Sequence, residues 1–295
     1  MTETVALIGA GAMGGAIGER LLETGNQLTV FDLDTDRVKA LVEKGAKAAS
    51  SAAKAAEASD FVITSLNSAN IVERAAFGPD GIADGAKTGT LIIDMSSIDP
   101  VTTRALATKA QERGLRWVDC PLSGGAPKAL IGELTLMAGG TEDDVAQAHR
   151  VLRHVAVNYT HMGPAGAGQT TKLINQVLCG LGFLAVAEAT QLAQDAGVDA
   201  TRIPIALKGG RADSALLQEY MPRFATKDYR RTGRIDNMVK DLNAVQDLAR
   251  DTGTSMPMTA LCAEIHRMLT AAGLGGEDQA AVMEFFSGAG RELPN

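Results

Sequence analysis

Short apolar runs, each followed by a polar or glycine-rich turn, mark the first half of the chain. They fall at residues 5–8, 28–31, 61–64, 90–94, 116–119 and 134–138, and their valines, isoleucines and leucines suit buried strands. Between them lie stretches with helical spacing: 36–44, stopped at Gly45; 51–58, rich in alanine; and 101–113, stopped at Gly114. Strands alternating with helices predict an α/β fold with a mostly parallel, doubly wound sheet. Ligands then gather at the carboxyl ends of the strands. After Gly163 and Pro164 the strand-like runs vanish, and a 3.6-residue period takes over to about residue 286. The pattern therefore predicts a Rossmann-type domain over residues 1–163 and an all-helical domain over 164–295. The second opens with one long helix through Ala196, stopped by Gly197. No charge falls between residues 177 and 187, which predicts a buried helix body. The uncharged apolar run 173–187 is too short for a membrane span of about 20 residues. The cleft between the domains is expected to hold the chemistry.

The first strand leads into Gly9-Ala10-Gly11-Ala12-Met13-Gly14, a helix follows, and the second strand ends on Asp32. This is the order of a dinucleotide site: Gly9 makes the turn, Gly11 lets the backbone approach a pyrophosphate, and Gly14 lets the helix pack on the strand. An acid 23 residues after Gly9 suits the adenosine ribose hydroxyls and repels a 2′-phosphate. NAD is therefore expected, with NADP as second choice because Arg37 is within reach. The segment Asp119-Cys120-Pro121-Leu122-Ser123-Gly124-Gly125 is a second chemical loop. It offers a hydroxyl and backbone N–H groups to a carboxylate, or it is a plain tight turn.

The third stretch, residues 166–176, opens the long helix. Lys172, Asn175 and Gln176 share one helix face. A first-turn lysine is disfavoured as a cation by the helix dipole, and burial adds to this. A neutral lysine beside two amides suits a proton acceptor for an alcohol. The competing account is a lysine snorkelling from a buried helix end to water. Lys240 and Asp241 stand near the start of an amphipathic helix, where such a pair is ordinarily solvated.

Composition narrows the function classes. Net charge is −7 and aromatics make up 4% of the chain, which argues against nucleic acid and anionic membranes as partners. Cys120, Cys179 and Cys262 are odd in number and far apart, so neither a disulfide framework nor a zinc site is expected. A reducing cytoplasm fits. The four histidines lack ligand spacing, no metal is expected, and the N-terminus lacks the basic region of a signal peptide.

With these residues assembled, the chain resembles the β-hydroxyacid dehydrogenase family, 3-hydroxyisobutyrate dehydrogenase-like, over essentially its whole length. The resemblance rests on Gly9–Gly14, the loop 94–98, Asp119–Gly125 with Gly132-Glu133-Leu134-Thr135, the stretch 166–176, and Lys240-Asp241-Leu242. It implies an NAD-dependent oxidoreductase moving a hydride between nicotinamide and a small hydroxy acid or its oxo or semialdehyde form. It implies Lys172 as catalytic acid/base, and Ser123, Gly124, Gly125, Asn175 and Gln176 as substrate-binding residues. The cofactor set it implies is Gly9, Gly11, Ala12, Met13, Gly14, Asp32, Leu66, Asn67, Ser97 and Lys240. A homodimer or homotetramer is implied as well. Asn67 stands where the family often has proline, and Ser97 where it often has threonine. Lys128, where many members carry glycine, resembles the L-threonate dehydrogenase branch and implies a polyhydroxy acid of about four carbons. The rival accounts are an imine reductase on the same scaffold, which Lys172 argues against, and a cofactor-binding protein without chemistry.

Overall fold

In the computed structural model, which describes residues 3–287, the chain begins with the expected alternation. It runs β1 (Thr4–Ile8), α1 (Ala12–Glu23), β2 (Gln27–Phe31), α2 (Thr35–Val42), β3 (Lys47–Ala48), α3 (Ala52–Ala56) and β4 (Phe61–Thr64). Next come α4 (Ala69–Phe77), α5 (Ile82–Gly85), β5 (Leu91–Asp94), α6 (Pro100–Glu112) and β6 (Arg116–Asp119). These strands lie parallel in the order β3-β2-β1-β4-β5-β6. The order reverses between β1 and β4, the point at which such sheets bind ligands.

Both faces of the sheet are covered, which is why its strands read as continuous apolar runs. Val5, Leu7, Ile63, Leu91, Ile93 and Val118 pack into one core, and Ala6, Ile8, Val62, Ile92 and Trp117 into another. Neighbouring residues thus alternate between the two cores, as the two-residue period of a strand requires. Helix starts follow local chemistry: the Asp34, Ser68 and Asp99 side chains accept backbone N–H bonds at the first turns of α2, α4 and α6.

The sheet then continues through β7 (Leu122–Ser123), α7 (Gly125–Leu130), β8 (Leu134–Gly139), α8 (Glu142–Leu152) and β9 (Ala156–Gly163). β8 is antiparallel to β6 and β7, and β9 runs parallel to β8. Three strands thus escape the pattern of apolar runs: β3, β7 and β9. Ser123 in particular stands on a short strand, not in an open loop, because it pairs with Thr135 as Leu122 pairs with Leu136.

The chain divides into two compact units, Met1–Lys172 and Leu173–Asn295. The second holds the body of α9 (Ala167–Asp195), then α10 (Ile203–Leu207), α11 (Ala215–Thr226), α12 (Ile235–Thr252), α13 (Pro257–Leu269) and α14 (Met283–Phe286). Phe183, Val186, Leu217, Phe224, Met238, Leu242, Cys262 and Ile265 form its core. By length and composition the 29-residue α9 resembles a membrane span, but Phe183, Val186 and Ala187 place it in this core. The buried helix body expected from the uncharged run holds for one face only. Ile174, Leu178 and Leu192 stay exposed, because apolar residues occupy more of the circumference than one packed face needs.

Candidate active site

At the end of β1 the backbone turns sharply. Gly9 adopts φ +97°, its N–H bonds the Phe31 carbonyl, and a Cβ there would lie 2.5 Å from the Ser65 carbonyl oxygen. Gly14 packs closer still, since a Cβ would lie 1.9 Å from the Gly9 carbonyl oxygen. Gly11 is different: a Cβ would meet only the Arg37 guanidinium, at 3.5 Å. Gly11 also begins α1 without a side-chain cap, and the first turn carries no acid. Open N–H groups at a helix N-terminus, reached over a bare glycine, fit a pyrophosphate. Ala12 is exposed at this end and Met13 half-buried against the core.

Asp32 has structural duties that its spacing does not reveal. Its Oδ2 accepts the Ala10 N–H at 2.6 Å and its Oδ1 the Asp34 N–H at 2.8 Å. Arg37 is held by Asp34 at 3.0 Å. Asp32→Ala is therefore expected to weaken NAD by about tenfold, as loss of a charge-assisted hydrogen bond under the loop would. It should also raise the use of NADP relative to NAD, because the repulsion goes while Arg37 stays. The ratio of kcat/KM for the two cofactors checks this; a wild-type preference of tenfold for NADP would contradict it.

The carboxyl ends of β4 and β5 are tied by a buried polar network. Thr64 Oγ1 donates to Asp94 Oδ1 at 2.8 Å, and the Ser96 N–H donates to the same oxygen at 3.1 Å. The Leu66 N–H donates to Ser96 Oγ at 3.0 Å. Burial pushes the Asp94 carboxyl up, against the Ser96 and Thr64 hydrogen bonds, and its Oδ2 has no hydrogen-bond partner among the described residues. Leu66 packs toward Gly9, Asn67 is exposed, and half-buried Ser97 follows the network's hub. Leu66, Asn67 and Ser97 thus lie on two loops joined through Ser96.

The start of α9 carries Lys172. The segment before it, Gly163-Pro164-Ala165-Gly166, offers no side-chain cap. The cap comes from the end of β6. Asp119 Oδ1 accepts the Gly166 N–H at 2.7 Å, and Oδ2 accepts the Gln169 N–H at 2.9 Å. Burial pushes Asp119 up to about 6, opposed by these two bonds, so it is largely ionised at neutral pH. An anion at the positive end of a helix is favourably placed. Contact between the helix start and the strand ends requires glycine: a Cβ on Gly168 would lie 2.4 Å from the Met137 carbonyl oxygen and 2.7 Å from that of Asp119. Gln169 fastens the turn to β5. Its Nε2 donates to the Ser96 carbonyl at 2.7 Å and its Oε1 accepts the Ile98 N–H at 3.3 Å. Lys172, half-buried, is one turn further along.

Asp119, Gln169, Ser96, Asp94 and Thr64 are polar residues that periodicity and motif spacing did not single out for this role. The signal available for Asp119 was the missing cap before a long helix, and for Gln169 a polar residue three positions before the lysine.

Ser123 is half-buried on β7, and Gly124 and Gly125 begin α7 with φ +129° and +74°. In the helical unit, Asn175 Nδ2 donates to Gln176 Oε1 at 2.9 Å, and Gln176 Nε2 donates to Asp241 Oδ2 at 2.6 Å. Lys240 reaches Asp241 at 3.4 Å. Asn175, Gln176, Asp241 and Lys240 therefore form one cluster. Asp241 is only 13% exposed, which sets it apart from the solvated pair that its sequence suggested. Among the described residues, no group of His, Cys, Asp or Glu side chains is arranged to hold a metal ion.

Known proteins match along almost the full length. A family model described as the NAD binding domain of 6-phosphogluconate dehydrogenase matches residues 4–163. Another, described as NAD-binding of NADP-dependent 3-hydroxyisobutyrate dehydrogenase, matches residues 166–286. The L-threonate dehydrogenase of Cupriavidus necator is 33% identical, over 100% of this chain and 99% of its own. The 2-(hydroxymethyl)glutarate dehydrogenase of Eubacterium barkeri is 34% identical, over 95% of this chain and 93% of its own. Among solved structures, 3-hydroxyisobutyrate dehydrogenase of Mycobacterium tuberculosis with L-serine is similar with a TM-score of 0.89 at 28% identity. That match covers 98% of this chain and 100% of the other.

Proposed function

The chain belongs to the β-hydroxyacid dehydrogenase family of NAD(P)-dependent enzymes, and from that premise we propose that it oxidises a small hydroxy acid with NAD or reduces the corresponding oxo acid or semialdehyde. The substrate is an acid of about three to four carbons. Lys172 is the acid/base: as the neutral amine it takes the hydroxyl proton in oxidation, and as the ammonium it returns the proton and polarises the carbonyl in reduction. The bound nicotinamide supplies the hydride acceptor or donor.

What carries this reading is the start of α9. Asp119 and Gln169 hold its first turn against the ends of β6 and β5, with Lys172 on the next turn. A lysine whose only role was to snorkel to water would not call for two buried side chains beneath it. Gly9, Gly11, Ala12, Met13, Gly14 and Asp32 hold the adenosine and pyrophosphate part of the cofactor. Leu66, Asn67 and Ser97 line its nicotinamide part, and Lys240 is assigned to cofactor binding as well. Ser123 with the Gly124 and Gly125 N–H groups takes the carboxylate, while Asn175 and Gln176 orient substrate and lysine. Residues 1–163 bind the cofactor, and 164–295 complete the substrate site and assemble copies. Exposed Ile174 and Leu178 on α9, and Met258, Leu261 and Met268 on α13, support a homodimer or homotetramer. The odd number and wide spacing of Cys120, Cys179 and Cys262 support a soluble protein of the reducing cytoplasm.

The test is a panel of acids taken from the names of the relatives: L-threonate, L-serine, 3-hydroxyisobutyrate and 2-(hydroxymethyl)glutarate. Each is incubated with NAD or NADP, and nicotinamide reduction is followed by absorbance. Turnover of at least one of the three- and four-carbon acids with NAD is expected, whereas turnover of 2-(hydroxymethyl)glutarate alone would contradict the size of the substrate. L-threonate is the first candidate, because Lys128 and the 33% identical L-threonate dehydrogenase point the same way. Failure of every acid with both cofactors would contradict the proposal. Ser123→Ala is expected chiefly to raise KM for the acid, by about 1–3 kcal/mol of lost charge-assisted hydrogen bonding. NAD affinity should barely change; an equal loss there would move Ser123 into the cofactor site.

A further inference from the structure

Gln169 has an arrangement that a packing residue does not need. It is 1% exposed, and both ends of its amide are used. Nε2 donates to the Ser96 carbonyl and Oε1 accepts the Ile98 N–H, so the amide grips the two peptide groups flanking Ser97. The Ile98 N–H settles which end is oxygen, because only Oε1 can accept it. Gln169's own N–H is held by Asp119, and Lys172 follows three residues later on the same helix. Ser96 in turn bonds the Leu66 N–H and Asp94. One buried side chain therefore links the loops bearing Leu66 and Ser97 to the helix turn bearing Lys172.

We infer that Gln169 is a positioning residue, clamping the Ser97 loop and the Lys172 turn in one fixed register. This rests on Lys172 being the acid/base and on Ser97 facing the nicotinamide. Both ends of the Gln169 amide are committed to backbone groups, so Gln169 influences the reacting partners only through them. It acts by holding the distance between the two elements that must meet across the reacting atoms. Errors near 1 Å in such a distance cost about a hundredfold in rate. Gln169 makes no hydrogen bond to the pyrophosphate turn at Gly9–Gly14 or to the carboxylate residue Ser123, so those binding contacts do not pass through the clamp.

The test uses the full-length protein with NAD and whichever acid of the panel is turned over fastest. Gln169→Met keeps the bulk and removes both hydrogen bonds. It is expected to lower kcat by about ten- to a hundredfold per folded molecule. KM for the acid and NADH affinity, read by fluorescence, should move by no more than about twofold. Hydrogen exchange, which needs no turnover, should quicken at the Ile98 amide. In a Lys172→Ala background, Gln169→Met should cost almost nothing more, because the two act as a unit. Gln169→Glu gives a signature that simple loosening would not. An ionised carboxylate cannot donate to the Ser96 carbonyl, whereas the protonated acid can. The ratio of its kcat to that of wild type should therefore rise as pH falls. A kcat within twofold of wild type for folded Gln169→Met, unchanged Ile98 exchange, an equal loss in both backgrounds, or a flat Gln169→Glu ratio would each overturn the clamp. The underlying reading fails separately: it falls if Lys172→Ala retains its kcat, whereas loss in Lys172→Ala with retention in Gln169→Met overturns the clamp alone.

Discussion

Lys172→Ala is expected to cut kcat in both directions by roughly 10² to 10⁴, the range for a positioned acid/base. The variant should fold, because Lys172 is half-buried near a helix start and not part of a core. It should also bind NADH, because the turn at Gly9–Gly14 is built without it. Lys172→Arg should not rescue, since a guanidinium stays protonated and cannot take the alcohol proton. In wild type the two directions should respond oppositely to pH: oxidation needs the neutral amine and gains as pH rises, whereas reduction needs the ammonium and loses. Steady-state kinetics in both directions, on samples shown by thermal melting to be folded, check these points. A loss below about tenfold would remove Lys172 from the chemistry.

The second large effect concerns two glycines that look alike in sequence and differ in space. Gly14→Ala puts a Cβ 1.9 Å from the Gly9 carbonyl oxygen, a backbone clash that only movement of α1 or the turn can relieve. Gly11→Ala meets nothing closer than the end of Arg37, and its φ of −60° suits alanine. Gly14→Ala is therefore expected to lose both thermal stability and NADH binding. Gly11→Ala should melt within about 2 °C of wild type yet bind NADH at least tenfold more weakly, roughly 1.4 kcal/mol, because its methyl group fills the approach to the pyrophosphate. Paired melting curves and NADH titrations decide it. Unchanged NADH affinity in Gly11→Ala would move the pyrophosphate elsewhere.

The contrast between these glycines shows what a sequence can carry. The turn at Gly9–Gly14 is local, so six consecutive residues and the flanking strand and helix make it legible. The parallel strands were legible because burial on both faces leaves continuous apolar runs. β9 was not, because Asn158, Thr160, His161 and Met162 are exposed, and β8 is the only strand it pairs with among the described residues. Lys172, Asn175 and Gln176 were legible from helical spacing. Their supports were not: Asp119 caps Gly166 across 47 residues, and Gln169 reaches Ser96 across 73. Such pairings are consequences of topology, and nothing in the spacing of either partner announces them. The exposed side of α9 is not legible for a related reason. Apolar composition says that a surface should be covered, without saying whether this chain or another copy covers it.

In the proposed reaction a hydride moves directly between a hydroxy acid and nicotinamide. The most direct measurement uses the acid selected by the panel, deuterated at its carbinol carbon, with unlabelled NAD in ordinary water. The reduced cofactor is then analysed by mass spectrometry and proton NMR. Each NADH formed is expected to carry one deuterium at C4, on a single face, and Lys172→Ala should slow its appearance without changing where the label goes. NADH that forms without the label would exclude direct hydride transfer from the acid.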